Sequence, residues 1–435
     1  MGAAAAAIAA VAVGTAQAAV PDESAPTPVA KSGSSAAAKD SISRKALSRR
    51  LGEELNSAGA SSSAYVYDIR ANSRRALVSS GGGTRRIPAS NEKLFTTAAI
   101  ISRLGSSGRL ATRVYRHGTL GGRRDQILRG NLILVGDGDP ALATRGFAHR
   151  NNLPLTPLAG LARDVRKAGI RKVAGNVRAD DHIFDRRRGV AATGWHDSVD
   201  LSPLSGLSFN SGWVNGHHAK DPDLVAARTL KHTLEKHGVK VKGHVGRANL
   251  RRSALERDPL GVVHSPAIGT LIAETNKPSN NFFAEMLLKR LVAKPGKPGT
   301  TRRGANRVQA FAHDQGTGIH PVDGSGLGRS NRVTPHEVVK LLTAMSKGPE
   351  AKPYRQSLPV AGREGTVAGR MRGTAAQDRC RTKTGTLRDV SALSGYCHSG
   401  HGLVAFSILM NSVSNFDAAH RAQDHMAALI ARYRP

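Results

Sequence analysis

The chain has 435 residues, of which 39% are hydrophobic, and this share excludes a wholly disordered protein. Its 64 Lys and Arg residues against 32 Asp and Glu residues give a formal net charge of +32, so we expect its surface to attract polyanions. Aromatic residues make up only 4%, which argues against the base-stacking platforms of proteins that bind single-stranded nucleic acid.

The basic residues are scattered along the chain, with no helix-turn-helix, zinc-finger or basic-zipper pattern around them. We therefore predict no specific nucleic-acid partner. Anionic lipid and anionic cell-wall polymers fit the charge as well, and the simplest interpretation is a solvated positive surface. The two cysteines occur without an H-E-x-x-H or C-x-x-C pattern, so no metal site is predicted.

The N-terminus has most of the features of a secretory signal peptide. An Ala- and Val-rich run covers residues 3–13, and an Ala-x-Ala site follows at residues 16–18. No Lys or Arg precedes the run, which departs from the usual pattern. We expect residues 1–18 to be a signal peptide, the protein to be exported, and the Ser-, Ala- and Pro-rich residues 19–40 to form a disordered leader.

The next segments predict a hairpin followed by a helix. Residues from Ala64 alternate as in a half-buried strand, and a second strand follows after a turn at residues 71–73. A helix begins near Ser90 and ends at Gly105. From about residue 108 to 259, short apolar strands alternate with Gly- and Asp-rich turns, and one helix has Asp221 as its N-cap and ends at Gly238. This change predicts an inserted domain over residues 108–259.

The last part of the chain is first helical and then rich in strands. Thr334 begins a helix with a capping-box pattern, strands follow at residues 381–385, 392–397 and 403–410, and a final helix runs from about residue 416 to 433. Strands at both ends with helices between them predict an α/β domain, formed by residues 41–107 and 260–435, whose antiparallel sheet is flanked by helices.

The two cysteines lie on consecutive predicted strands. An antiparallel pair that turns at Arg388 and Asp389 places residues with a constant sum of positions opposite each other, and Cys380 and Cys397 satisfy that sum. We therefore predict a disulfide between them, in keeping with export. The alternative is two free buried thiols.

Three short motifs carry groups that could form a nucleophilic site. Ser90 and Lys93 lie three residues apart at a helix start, where a Lys of lowered pKa can take the proton of a serine hydroxyl. Ser279 and Asn281 precede an apolar helix, and Lys383 begins a Lys-Thr-Gly sequence late in a strand, where it could hold a carboxylate. Each motif alone has a simpler explanation, such as helix capping, but the three motifs in this order are a more specific indication of a catalytic site.

This order of motifs resembles that of the class C penicillin-binding proteins, the D-alanyl-D-alanine carboxypeptidase/endopeptidase family. The resemblance covers about residues 64–411. The shared stretches are residues 88–94, 132–140, 323–335, 358–366 and 383–387. It implies a penicillin-binding-protein/β-lactamase-like transpeptidase fold and a serine-type carboxypeptidase, or also an endopeptidase, that acts on peptidoglycan stem peptides through an acyl-enzyme. It also implies inhibition by β-lactam antibiotics and no cofactor.

The resemblance assigns a role to each matching residue. The catalytic group would be Ser90 as nucleophile, Lys93 as general base, Ser279 and Asn281 as the second motif, in which the Ser helps to pass a proton to the leaving D-alanine amine, and Lys383, which with Thr384 would bind the terminal carboxylate. The substrate-binding group would be Thr384, Gly385, Thr386, Asp180 and Arg370. Within it, the backbone N–H of Thr386 would form an oxyanion hole with that of Ser90, and Asp180 with Arg370 would contact a diaminopimelyl side chain. The simpler interpretation of that last pair is an inter-domain ion pair.

One departure from the family concerns the inserted region, which is too short for the two nested insertions that members usually carry. We expect the innermost insertion to be absent. Two other functions stay open: a serine β-lactamase, although nothing resembles the extra deacylating Glu of class A enzymes, and an inactive protein that binds the cell wall.

Overall fold

The computed structural model describes residues 41–70, 75–122, 126–248 and 258–435. The predicted signal peptide (1–18) and leader (19–40) lie outside these residues. Within the described ranges, no helix is both long enough and apolar enough to cross a bilayer.

Strands and helices are numbered in chain order. The strands are β1 (Ser61–Asp68), β2 (Val78–Ser80), β3 (Ala111–Gly121), β4 (Ile127–Val135), β5 (Leu142–Ala143), β6 (Thr156–Pro157), β7 (Lys172–Val173), β8 (Val177–Asp180), β9 (Trp213–Val214), β10 (His217–His218), β11 (Lys240–Val241), β12 (Val245–Arg247), β13 (Gly261–His264), β14 (Cys380–Leu387), β15 (Val390–His398) and β16 (Leu403–Asn411). The helices are α1 (Arg44–Ser57), α2 (Glu92–Leu104), α3 (Arg145–Arg150), α4 (Ala159–Lys167), α5 (Pro222–Lys236), α6 (Ile268–Asn276), α7 (Asn281–Val292), α8 (Thr301–Asp314), α9 (Pro335–Met345), α10 (Ala351–Gln356) and α11 (Phe416–Ala431).

A five-stranded antiparallel sheet joins the early and late parts of the chain. Its strand order is β14-β15-β16-β1-β2, and β1 pairs with β16 along its whole length. Alternate residues of the central strands point to opposite faces: Tyr396 and Ala405 pack in a core with α2 and α9, whereas Cys397 and Phe406 pack with α1 and α11. Burial on both faces explains why β15 and β16 are almost continuously apolar. The predicted α/β fold with a helix-flanked antiparallel sheet is therefore confirmed.

The predicted hairpin near the N-terminus is present in this sheet. Strand β1 pairs antiparallel with β2, with Val66 opposite Val78. The turn expected at residues 71–73 lies outside the described residues.

A second sheet is built from the middle of the chain. Its order is β11-β7-β4-β3-β13, with β8 beside β4 and β12 beside β8. The pairs β4–β8, β7–β11 and β8–β12 are parallel, and helices α4 and α5 pack against these strands in one apolar core. Strand β13 lies just beyond residue 259, so this sheet extends past the predicted boundary of the insertion. The division into a catalytic and an inserted domain, and the missing innermost insertion, remain predictions.

The sequence predicted side-chain caps at the starts of α9 and α5, and only the cap of α9 is present. The capping box of α9 is confirmed, because the Thr334 side chain accepts a hydrogen bond from the backbone N–H of Glu337 and the Glu337 carboxylate accepts one from that of Thr334. Asp221 occupies the N-cap position of α5, but its side chain makes no capping hydrogen bond. Its carboxylate instead accepts a hydrogen bond from Arg247, because a guanidinium is a stronger partner than a backbone amide.

Candidate active site

The three motifs come together at the edge of the five-stranded sheet that β14 forms. Ser90 lies on a short 3₁₀ turn just before α2, Ser279 lies just before α7, and Lys383 lies on β14. The Lys93 Nζ donates to the Ser90 Oγ at 2.9 Å and to the Asn281 Oδ1 at 2.7 Å. The Lys383 Nζ donates to the Ser279 Oγ at 2.8 Å. The five residues predicted to be catalytic thus form two hydrogen-bonded groups, which meet where Ser279 and Asn281 lie two residues apart in the chain.

Two residues of this centre have unusual backbone conformations. Ala89 has φ +48° and Ser279 has φ +64°, a left-handed region that costs free energy for residues other than Gly. At Ser279 the chain turns directly into α7, where the Asn280 side chain accepts a hydrogen bond from the backbone N–H of Phe283. The N-cap of α7 is thus Asn280, which leaves the neighbouring Ser279 hydroxyl available to Lys383.

Gly385 allows β14 to lie against the nucleophile turn. A Cβ at this position would lie 2.7 Å from the Pro88 carbonyl oxygen and 3.1 Å from the Ser90 backbone nitrogen. Only Gly permits that approach without a backbone shift. The close packing places the Lys-Thr-Gly strand beside the Ser90 amide.

The Lys93 amine has three hydrogen-bond partners in a buried position. Besides Ser90 and Asn281, its Nζ contacts the Ser325 carbonyl oxygen at 2.6 Å. Burial lowers the pKa of Lys93 to about 7, although the nearby acidic residues Glu285, Asp323 and Glu92 oppose this change. In its neutral form the amine keeps two donors for Asn281 and Ser325 and presents its lone pair to the Ser90 hydroxyl.

A turn formed by residues 323–328 supplies the Ser325 carbonyl, and buried carboxylates hold it. The Glu285 Oε1 accepts hydrogen bonds from the backbone N–H groups of Gly324 at 2.9 Å and Ser325 at 2.7 Å. The Asp323 carboxylate accepts from the backbone of Gly326 and Gly328 within the same turn. The sequence analysis assigned no role to these acids. Only the shared stretch 323–335, which contains Asp323 and Ser325, could have indicated that this turn belongs to the site.

Glu92 is a third unassigned acid, and it lies within the first motif itself. Its side chain is fully buried, and neither carboxylate oxygen has a hydrogen-bond partner among the described residues. Burial, and then the charges of Asp323 and Glu285, raise the pKa of Glu92 well above its usual value. Burial of Glu92 therefore favours its neutral, protonated form.

Lys383 is also buried, and its immediate partners are polar but uncharged. Its Nζ donates to the Ser279 Oγ and, at 2.8 Å, to the Thr384 carbonyl oxygen. Burial, and then the charge of Lys93, hold the pKa of Lys383 well below its usual value. The Thr384 hydroxyl donates to the Thr366 hydroxyl at 2.7 Å, and the Thr386 side chain is exposed. A carboxylate next to this strand would supply the counter-charge that Lys383 lacks.

Asp180 and Arg370 do not contact each other. The Arg370 guanidinium lies 2.8 Å from the Asp424 carboxylate on α11 and 3.0 Å from the Gln423 side chain. The Asp180 carboxylate lies 2.9 Å from His182 at the end of β8. The interpretation as an inter-domain ion pair is therefore wrong, because each residue has a partner closer in its own region.

A loop from the middle of the chain reaches this centre and was not anticipated. The Asn281 Nδ2 donates to the Asp200 carbonyl oxygen at 2.9 Å, so one amide side chain connects Lys93 to the segment 197–202. A backbone carbonyl carries no residue-specific signal, which explains why the sequence could not indicate it.

The strand that carries Lys383 is cross-linked to its neighbour. Strands β14 and β15 pair in the predicted register, with Cys380 opposite Cys397, and the disulfide between them is present. The prediction from the turn position is confirmed.

Comparisons with known proteins agree with this geometry. Residues 44–220 and 215–433 match the profile of the D-Ala-D-Ala carboxypeptidase 3 (S13) family. The chain is 31% identical to a D-alanyl-D-alanine carboxypeptidase of an Actinomadura species, over 86% of this chain and 82% of that protein. It is 27% identical to a carboxypeptidase of Mycobacterium tuberculosis, over 75% and 71% of the two chains.

Solved structures show the same fold. Penicillin binding protein 4 of Haemophilus influenzae superposes with a TM-score of 0.70 at 20% identity, covering 88% of this chain and 97% of that one. A predatory endopeptidase of Bdellovibrio bacteriovorus superposes with a TM-score of 0.53 at 19% identity, covering 85% and 92%. With the family profile matched over most of its length, the chain belongs to the D-Ala-D-Ala carboxypeptidase 3 (S13) family.

Proposed function

We propose that this protein is a serine-type D-Ala-D-Ala carboxypeptidase that acts on peptidoglycan stem peptides through an acyl-enzyme on Ser90. The observation that carries the proposal is the hydrogen-bonded set of Ser90, Lys93 and Asn281, with the pKa of Lys93 lowered to about 7. A base with a pKa near neutrality is the condition for activating a serine hydroxyl. Membership of the family supports the same substrate.

Acylation follows from the geometry. The neutral Lys93 amine takes the Ser90 proton while the Oγ attacks the carbonyl carbon of the penultimate D-alanine. The resulting oxyanion accepts hydrogen bonds from the backbone N–H groups of Ser90 and Thr386, and the close approach of Gly385 to the Ser90 nitrogen supports this assignment. When the C–N bond breaks, the leaving D-alanine amine takes the proton of the Ser279 hydroxyl, which Lys383 replaces, while Lys93 keeps the Ser90 proton until hydrolysis.

The terminal carboxylate of the substrate is assigned to Lys383 and Thr384. Among the described residues no carboxylate pairs with the buried Lys383, so an incoming carboxylate would favour its charged form and be held by it. The same bond raises the proton affinity of the Lys383 amine, which contacts Ser279 directly. Carboxylate binding and proton delivery to the leaving group are thus coupled through one hydrogen bond.

Water then attacks the ester on Ser90 and releases the shortened stem peptide. The same chemistry cleaves a cross-link, because the bond on the D-alanyl carbonyl is again an amide. Endopeptidase activity is therefore a second candidate, and the endopeptidases among the structural neighbours favour it. β-Lactam antibiotics are expected to acylate Ser90 as substrate analogues, and a β-lactamase would release the adduct quickly.

The proposal also covers recognition of the stem-peptide side chain, the location of the protein and its attraction to the cell wall. Asp180 stays a candidate contact for the stem-peptide side chain, and Arg370 would first have to exchange Asp424 for substrate. Export is proposed from the pattern of residues 1–18 and from a substrate that lies outside the cytoplasmic membrane. The net charge of +32 fits attraction to anionic wall polymers.

The decisive experiment compares the unaltered protein with Ser90→Ala. Release of D-alanine from a stem pentapeptide, and a penicillin adduct located by mass spectrometry on the peptide containing Ser90, are both expected and both lost in the variant. An adduct on another residue, or equal D-alanine release by Ser90→Ala, would refute the proposal.

A further inference from the structure

Glu274 is a half-buried acid in the last turn of α6 that the proposed chemistry does not use. The apolar residues of α6 pack in the core with α2 and α7, so this helix is a rigid support. The Glu274 Oε1 accepts a hydrogen bond from the Asn280 Nδ2 at 3.0 Å. Asn280 lies between Ser279 and Asn281, and each of these two contacts a catalytic lysine. Glu274 therefore holds the residue that separates two members of the proposed catalytic centre.

The bond to Glu274 determines which way the Asn280 amide points. An amide side chain has an oxygen acceptor and a nitrogen donor, and a carboxyl oxygen can accept only from the nitrogen. With its nitrogen at Glu274, the Asn280 side chain presents its Oδ1 to the start of α7, where it accepts from the Phe283 N–H at 3.1 Å. In the described part of the chain these are the two hydrogen-bond partners of the Asn280 side chain. The cap of α7 therefore depends on Glu274.

The other surroundings of Glu274 do not explain its position. A cavity of about 710 Å³ lies beside it, and the charged residues that line this cavity are Glu274, Lys277 and Glu364. Lys277 and Glu364 form an ion pair with each other at 3.0 Å. Across the described ranges Glu274 forms no ion pair, and its side-chain hydrogen bond goes to Asn280. The contact with Asn280 is thus what this acid provides to the fold.

Ser279 has a backbone conformation that its neighbours must impose. Its φ of +64° lies in the left-handed region, which is unfavourable for a residue with a Cβ. Such a conformation persists where the surrounding contacts enforce it. The Ser279 Oγ accepts from the Lys383 Nζ at 2.8 Å, and the next residue along the chain is fixed by the bond between Glu274 and Asn280. Together these contacts hold the Ser279 hydroxyl beside Lys383.

We propose that Glu274 is a positioning residue for proton transfer to the leaving group, because it holds Asn280, and through it Ser279, in the active orientation. The proposal rests on the proposed function for the identity of the reaction. Among the described residues Glu274 makes no hydrogen bond to Ser90 or Lys93, so its effect passes through Asn280. Burial raises the pKa of Glu274 to about 7, and both its protonated and its ionised form keep an oxygen that accepts from the Asn280 amide.

Substrates with different leaving groups test this role in the full protein. One is a stem pentapeptide, whose leaving amine needs a proton, and the other is a thioester in which mercaptoacetate replaces the terminal D-alanine, so that a thiolate leaves without one. Glu274→Ala should lower kcat/KM for the pentapeptide about tenfold and leave that for the thioester nearly unchanged. Ser279→Ala should change the two substrates in the same sense by a larger factor. Retained thioester cleavage also reports that each variant is folded.

Two further variants separate positioning from a general loss of charge or packing. Glu274→Gln keeps an oxygen acceptor for the Asn280 amide and should restore kcat/KM for the pentapeptide to within about twofold of the unaltered protein. Glu364→Gln is the matched control, because it removes a carboxylate from the same cavity and has no hydrogen bond to Asn280. An equal loss on both substrates in Glu274→Ala, no loss at all, or an equal loss in Glu274→Gln would overturn the positioning role.

Hydrogen exchange provides a test that does not need the reaction. Mass spectrometry should show the Phe283 amide, which Asn280 caps, exchanging about tenfold faster in Glu274→Ala and at the original rate in Glu274→Gln. If the unaltered protein cleaves neither substrate, the proposed function is wrong, and exchange at Phe283 still decides whether Glu274 holds Asn280. An unchanged exchange rate in Glu274→Ala would refute the inference whatever the activity.

Discussion

Lys93 and Glu285 are joined through a single residue, because the Ser325 N–H donates to the Glu285 carboxylate at 2.7 Å while the Ser325 carbonyl contacts the Lys93 Nζ at 2.6 Å. The acid therefore acts on the proposed base in two ways. It holds the carbonyl that positions the amine, and its charge favours the ammonium form where Glu285 is ionised, because burial raises the pKa of Glu285 itself to about 7.

The first prediction concerns the pH dependence of acylation. Since the pKa of Lys93 is lowered to about 7 and the neutral amine is the base, the rate should rise with pH through about 7. Glu285→Gln removes a charge that raises this pKa, so the midpoint should move to lower pH. Stopped-flow acylation with a fluorescent penicillin across pH 5–9 measures both midpoints. A midpoint that does not move, or moves upward, would contradict the electrostatic role of Glu285.

The second prediction separates the two lysines. Lys93→Ala should slow the acylation step by about 100-fold or more with little change in ligand affinity, because the base acts in the transition state. Lys383→Ala should mainly weaken affinity, because it holds the carboxylate already in the ground state. The dependence of acylation rate on ligand concentration yields both constants. If both variants change affinity alone, the division of roles is wrong.

The third prediction tests the close approach at Gly385. A Cβ there meets backbone atoms of Pro88 and Ser90, so Gly385→Ala should move the nucleophile relative to β14 and reduce acylation about 10- to 100-fold. Gly369→Ala is the matched control, because a Cβ at Gly369 meets nothing within 4 Å. Equal acylation rates in the two variants would show that the approach is not critical.

The fourth prediction concerns the buried acid Glu92. Burial raises the pKa of Glu92 in the folded protein, so folding above the unfolded pKa is linked to proton uptake, and Glu92→Gln removes that linkage. The free energy of unfolding should therefore be higher in Glu92→Gln, by an amount that grows as pH rises from about 4.3, the unfolded value, toward the folded pKa. Urea unfolding at several pH values measures it. Glu235→Gln, at an exposed site on α5, is the control, and parallel pH profiles for the two variants would refute the raised pKa of Glu92.

The fifth prediction concerns the disulfide. The bridge closes a loop with a sequence separation of 17, so its removal in Cys380→Ala/Cys397→Ala should lower the free energy of unfolding by roughly 2–3 kcal/mol. Denaturant unfolding of the double variant measures the loss. Peptide mapping without reduction should find no alkylatable thiol at either position, and two free thiols in the native protein would contradict the bond.

The parts of the site that the sequence predicted are those set by local spacing. Ser90 and Lys93 share one face of a helix start, so their contact follows from helical geometry. The turn at Arg388 and Asp389 determined the strand register and, with it, the pairing of Cys380 and Cys397. For Asp180 and Arg370, the contact with substrate that the family position implies stays a prediction, and only the alternative of an ion pair between them is excluded by their observed partners.

The sequence by itself determined the α/β class, the order of the three motifs and the family, because periodicity, capping and motif order are properties of neighbouring residues. Only the tertiary structure decided how Lys93 is tuned. Its contact with Ser325 spans 232 residues, and the Asn281 contact with Asp200 spans 81. Both use backbone carbonyls, which every residue has, and the pKa of Lys93 depends on burial that forms only when α2 packs into the core. Neither these long-range contacts nor the burial of Lys93 can be read from the spacing of residues along the chain.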